Sequence, residues 1–191
     1  NINVLLGAIT GTIQTTGIRI DPLTGDQTTV TGDIGQFTFD KNNVVNGVTA
    51  ISAKRGISGQ IIVRGNLISA VKTGTFSGVI AAQGDIGIVA AAPVSGPLTR
   101  FGGISISGNA SGQIIALGNA FGDITVNGTL SGRIAVQGQG VASLDADRSG
   151  ILGNLRVGKF ASTAAVVSGG LIGDLVGGTS FKSGAIQHGI L

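Results

Sequence analysis

The chain has 191 residues, with 35 Gly, 3 Pro, no Cys, Met, Trp or Tyr and a net charge of +3. The absence of Cys removes disulfides and thiolate metal sites, Gly does not recur at every third position as collagen requires, and an apolar content of 42% is too high for a chain unable to bury a core. The twelve Lys and Arg are scattered, with Lys54-Arg55 the only adjacent pair and Phe the only aromatic, so the clustered cations and stacking platforms of a nucleic-acid groove are missing.

Residues 1–57 form the irregular part. Asn1 is followed by no charged leader segment and there is no initiator Met, which suggests a processed protein or a piece of a longer one. Gly11-Thr12-Ile13-Gln14 and Gly17-Ile18-Arg19-Ile20 read as strands, and the Pro, Gly and Asp of Asp21 to Asp26 read as a turn. A strand with alternating side chains comes next, from Gly32 to Phe39, closed by Asp40-Lys41-Asn42-Asn43. The region is either a worn version of the repeat that begins at Ser58 or a terminal cap.

From Ser58 to the end, residues 58–191, the pattern tightens into one continuous body. Ser-Gly pairs begin at Ser58, Ser77, Ser95, Ser111, Ser131, Ser149, Ser168 and Ser183, with steps between 15 and 20 residues. A second motif, Gly-Asx-Ile/Leu, lies about half a step behind, at Gly65-Asn66-Leu67, Gly84-Asp85-Ile86, Gly122-Asp123-Ile124, Gly153-Asn154-Leu155 and Gly173-Asp174-Leu175. Between Gly102 and Gly140 the repeat is most regular, with Ile104, Ile114, Ile124 and Ile134 ten residues apart. Two such strands make one unit of about 19 residues, and about seven units are expected after Ser58.

Strand parity separates inside from outside. In Gly122-Asp-Ile-Thr-Val-Asn-Gly a period of two puts Ile124 and Val126 on one face and Asp123, Thr125 and Asn127 on the other. The same parity points Ile61, Val63, Ile80, Ala82, Ile104, Ile106, Ile114, Ala116, Ile134, Val136, Leu155 and Val157 inward. Phe76, Phe101, Phe121, Phe160 and Phe181 each precede a strand-opening motif and read as corner residues capping a thin core. The expected fold is all-β: a parallel β-helix, or β-solenoid, with two main strands per coil of about 19 residues. An antiparallel β-sandwich is the second choice, disfavoured by the near-identity of the units.

Asp33, Asn66, Asp85, Asp123, Asn154 and Asp174 each come directly after a corner glycine. Stacked carboxylates suit a Ca²⁺ column, with Asp85, Asp123, Asp174 and the loop residues Asp145 and Asp147 as candidates, while Asx side chains also cap their own turns. The second reading is preferred, because the Gly-Gly-x-Gly-x-Asp loop of calcium-binding β-rolls is absent, and no cofactor is expected. His188 is the single histidine and no nucleophile elbow accompanies it, so no catalytic residue is assigned and the protein is not expected to be an enzyme.

The outward positions of the Ser-Gly strands are apolar: Ile62, Ala81, Ile115 and Ala135, joined by Leu117. A stacked stripe of this kind is a docking surface, for another copy of the chain, a filament neighbour or an adjoining domain of a longer chain. No stretch reaches the ~20 apolar residues of a membrane span, and no nucleic-acid partner is expected.

The Ser-Gly-x-Ile and Gly-Asp-Ile units over residues 58–191 resemble the degenerate glycine-rich repeats of large bacterial surface and secreted β-solenoid proteins of the adhesin and haemagglutinin style. The resemblance implies an extracellular or cell-surface location and a role as stalk, filament or surface layer. The chain lacks the Asn-, Gln- and Thr-rich ladders of adhesins. The reading is a structural or interaction protein, and the competing class is a carbohydrate-binding or carbohydrate-processing β-helix.

Overall fold

Alternation of Ile and Val with small or polar residues, interrupted by glycine corners, produces two parallel β-sheets. The computed structural model describes residues 2–14, 17–20, 27–30, 34, 38–39, 45–46, 50–90, 99–138, 150–169, 171–172, 175–177 and 186–188. The larger sheet has eight strands. Ile2–Val4, Ala50–Ile57, Ala70–Phe76, Gly103–Ile106, Asp123–Leu130, Leu155–Phe160 and Leu175–Gly177 succeed one another, and Ala8–Ile9 also pairs with Ala50–Ile57. The smaller has seven, Thr12–Gln14, Gln60–Val63, Val79–Ala82, Gln113–Ala116, Arg133–Val136, Ala165–Ser168 and Ile186–His188. The chain passes alternately from one sheet to the other, and every pairing within the two sheets is parallel, which excludes the antiparallel sandwich. Among the described residues there is no helix, and hence none long and apolar enough to cross a membrane.

Like residues lie beside like. Ile51, Val71, Ile104, Ile124, Leu155 and Leu175 are register partners across the larger sheet. Ile61, Ile80, Ile114, Ile134, Val166 and Ile186 run likewise across the smaller. Every position expected to face inward is buried, and the inward side chains of both sheets form a single hydrophobic core. Each fully buried Ile or Val contributes about 1.5–3 kcal/mol.

Two further columns close the core between the sheets. Ile57, Phe76, Ala110, Leu130 and Phe160 form one, with small Ala110 placed between the large Phe76 and Leu130. Ile34, Leu67, Ile86, Ala120 and Ile151 form the other, through isolated parallel bridges. Phe76, Phe121 and Phe160 are buried as expected; the side chains of Phe101 and Phe181 lie outside the described residues.

The same hydrogen-bond device turns the chain on both sides of the core. On one side the Ile57 carbonyl accepts from both Ser77 and Gly78, the Phe76 carbonyl from Ser111 and Gly112, and the Ala110 carbonyl from Ser131 and Gly132. On the other side the Ile86 carbonyl accepts from Phe121 and Gly122, and the Ala120 carbonyl from Leu152 and Gly153. This shared device is why the sequence shows a step of ten. The register step between paired strands is 20 residues from Ile104 to Ile124 and from Ile114 to Ile134.

The folded repeat departs from the expected one in two respects. The Ser-Gly spacing does not report an inserted segment: Val71 pairs with Ile104, and the extra residues include the antiparallel pair Ile88–Ala90 with Thr99–Phe101. Ser95 itself lies outside the described residues. Ser168-Gly169 ends a strand rather than opening one, with the Ser168 hydroxyl buried and accepting from the Ile151 N–H at 3.1 Å. Among the described residues after Ser58 the larger sheet has five strands and the smaller six.

Residues 2–14 already lie in the two sheets, Ile2–Val4 against Ala50–Ile57 and Thr12–Gln14 against Gln60–Val63. Gly17–Ile20 pairs antiparallel with Gln27–Val30, and Thr38–Phe39 with Val45–Asn46. The expected turn from Asp21 to Asp26 lies outside the described residues. Of the strand expected from Gly32 to Phe39, Ile34 forms a bridge to Leu67 and Thr38–Phe39 is a strand, and the other residues lie outside the described ones.

Candidate interaction surface

The outward positions of the seven-stranded sheet fall into one column. Gln14, Ile62, Ala81, Ile115, Ala135 and Val167 are successive register partners. All five apolar members are half-buried, their flanks shielded by neighbours but their ends open. Leu117, just past the end of Gln113–Ala116, is 44% exposed. It borders a shallow groove of about 180 Å³ with Ile115, Ala135 and Val167. The second outward row, Gln60, Val79, Gln113, Arg133 and Ala165, is mixed. Within the five strands from Gln60 to Ser168, Arg133 is the single ionisable side chain of this sheet.

Val167 extends the stripe by one strand, and the motifs do not reveal it. Its strand is opened by Thr163-Ala164 instead of Ser-Gly. The parity of Ala165-Val166-Val167-Ser168, matching Arg133-Ile134-Ala135-Val136, is the signal that finds it.

The larger sheet presents a different exterior. Asn3, Ser52, Lys72, Ser105, Thr125 and Arg156, all polar, are successive members of its corresponding outward column, and Val176 is the next partner after Arg156.

The Asx residues divide between separate columns. In one, the Asp85 N–H donates to Asn66 Oδ1 at 2.8 Å, the Asn119 N–H to Asp85 Oδ1 at 2.6 Å, and the Gly150 N–H to Asn119 Oδ1 at 2.9 Å. In the second, the Asn154 N–H donates to Asp123 Oδ1 at 2.9 Å. A third contact has the Thr129 N–H donating to Asn109 Oδ1 at 2.9 Å. The side chains therefore reach across to the following turn. The next turn lies one strand spacing away, roughly 4.8 Å, within reach of a short Asx side chain. Asp85 and Asp123, expected in one ladder, are in different ones, because Gly-Asx-apolar occurs on both sides of the core. Asn109 and Asn119 escape the motif because Ala comes after them where the motif has Ile or Leu.

Asp33, Asp145, Asp147 and Asp174 lie outside the described residues. Among the described residues no three His, Cys, Asp or Glu side chains come together as a metal site would require. His188 lies in the strand Ile186–His188. No family model matches the chain, and no curated protein or solved structure matches it either.

Proposed function

We propose that the chain winds as a parallel β-solenoid and serves as a structural or interaction element of the cell surface or extracellular matrix, copies packing laterally through the outer face of the seven-stranded sheet. The solenoid reading is supported by parallel pairing between strands 20 residues apart that alternate between two sheets over one core. The observation that carries the functional reading is the in-register apolar column Ile62, Ala81, Ile115, Ala135 and Val167, with Leu117 beside it.

Isolated exposed apolar residues are ordinary, whereas a contiguous row marks a contact surface. Charge favours a second copy as the occupant. Two such faces bring together little like charge: Arg133 is the one ionisable side chain of those five strands, and Arg64 follows the first of them where Leu117 follows the third. The larger sheet, with Lys54, Arg55, Lys72, Arg156 and Lys159, would repel its own copy. The reading assigns no catalytic residue and no resident cofactor.

Sedimentation equilibrium of the purified chain tests it, with Ile115→Lys as the disrupting variant. The expected result is concentration-dependent association of the wild type and a monomer for the variant, with the same melting temperature when dilute. A wild type that stays monomeric at high concentration overturns the reading.

A further inference from the structure

The twelve cations are scattered in sequence, yet five of them gather on one sheet. Lys54, Arg55, Lys72, Arg156 and Lys159 belong to the larger sheet and all are exposed. Two irregularities of register make this possible. Strict alternation would turn one of Lys54 and Arg55 inward, but a bulge sets both opposite Gly74, between the pairs Thr73↔Ala53 and Thr75↔Gly56, and both point to solvent. A second shift, between Val126 and Thr129, sets Asn127-Gly128 opposite Gly158 and leaves Lys159 exposed beside Arg156. The one acid in the described strands of this sheet is Asp123, at a strand's first residue, where its carboxylate accepts the Asn154 N–H.

Between the cations run hydroxyls. Ser52, Lys72, Ser105, Thr125 and Arg156 are successive partners on the outward column. Over its first part the face carries an open groove of about 460 Å³ lined by Lys54, Lys72, Ser52, Ser105 and Ser107, with Val4 and Leu5 at its edge. Lys72 and Arg156 are three strand spacings apart, roughly 14 Å at about 4.8 Å per strand. That span is too long for a single small anion and suits a chain that carries several negative charges along its length.

We propose that this outer face binds a linear acidic polysaccharide, its carboxylates lying along the cations and its hydroxyls on the Ser and Thr column. Cationic side chains held on a rigid sheet attract a polyanion and lose little freedom on binding it. Nucleic acid is the less suitable polyanion, because the sequence-tolerant grip on single strands uses exposed aromatic platforms, and among the described residues the Phe side chains, Phe76, Phe121 and Phe160, are buried. The proposal does not depend on self-association through the opposite face.

The test is titration of the full chain with polygalacturonate, neutral dextran and duplex DNA in low salt. Four proteins are compared: wild type, the pairs Lys54→Gln/Lys72→Gln and Arg156→Gln/Lys159→Gln, and Arg133→Gln on the other sheet. Polygalacturonate should bind and dextran should not. Each double variant should weaken binding at least tenfold with its melting temperature unchanged, Arg133→Gln should change it less than twofold, and 0.5 M salt should abolish it. Absence of binding, a loss with Arg133→Gln as large as with either pair, or DNA binding as tight as polygalacturonate would each overturn the proposal.

Discussion

The strands Asp123–Leu130 and Arg133–Val136 stand side by side in the sequence and are nearly the same on the inside: Ile124 and Val126 in one, Ile134 and Val136 in the other, all buried. Outside they are opposites. Thr125 belongs to a row with Lys72, Ser105 and Arg156, while Ala135 belongs to a row with Ile62, Ala81, Ile115 and Val167. The comparison separates two demands on one repeat. The inward positions are held alike by a shared core, and the outward positions, free of packing, differ by sheet.

The largest effect expected is inside, and it should be the same in both sheets. Ile124→Asp and Ile134→Asp each place a carboxylate with no partner in the core and should destabilise by about 4 kcal/mol or more, measured by chemical denaturation. Thr125→Asp, one residue away and outward, should change stability by no more than about 0.5 kcal/mol. Equal losses for Ile124→Asp and Thr125→Asp would break the division into inside and outside.

A smaller effect sharpens the comparison at the corners. A Cβ on Gly132 would collide with the Gly112 carbonyl, one on Gly112 with the Gly78 carbonyl, and one on Gly78 with the Gly59 carbonyl. Gly11 begins the same column and a Cβ there meets nothing within 4 Å. Gly132→Ala should therefore destabilise by about 1–3 kcal/mol, as forced overpacking does. Gly11→Ala should leave the denaturation midpoint unchanged. A large loss at Gly11 would show that backbone conformation, not close approach, requires glycine in this column.

The inside of the two sheets was legible in the sequence because burial leaves a chemical trace at every second residue: Ile61, Val63, Ile104 and Ile106 declare themselves, whereas Leu67, Ile86, Ala110 and Ala120 of the bridge columns follow no such period. Which strand belongs to which sheet was less legible. Gly84-Asp85-Ile86 and Gly122-Asp123-Ile124 look alike, but Ile86 lies in a bridge column and Ile124 in the larger sheet, since one turn chemistry serves both sides of the core. The antiparallel pair Ile88–Ala90 with Thr99–Phe101 was hidden because the Ser-Gly spacing runs through it without a break. The apolar stripe was readable except for Val167, whose strand lacks the Ser-Gly opening. The gathering of cations was not readable at all. Lys54 and Arg55 face the same way only through a bulge, and Lys72 reaches Arg156 only after insertions of unequal length are folded out of the register.

The chain contains no cysteine, so single thiols can be placed against a clean background. The central claim is that the face of the seven-stranded sheet, and not the other, meets a second copy. Leu117→Cys and Ser105→Cys put one exposed thiol on each face, and mild oxidation with non-reducing electrophoresis reads the encounter. The account predicts a disulfide-linked dimer for Leu117→Cys and monomer for Ser105→Cys at the same concentration. Equal cross-linking of both, or a dimer from Ser105→Cys alone, would contradict it.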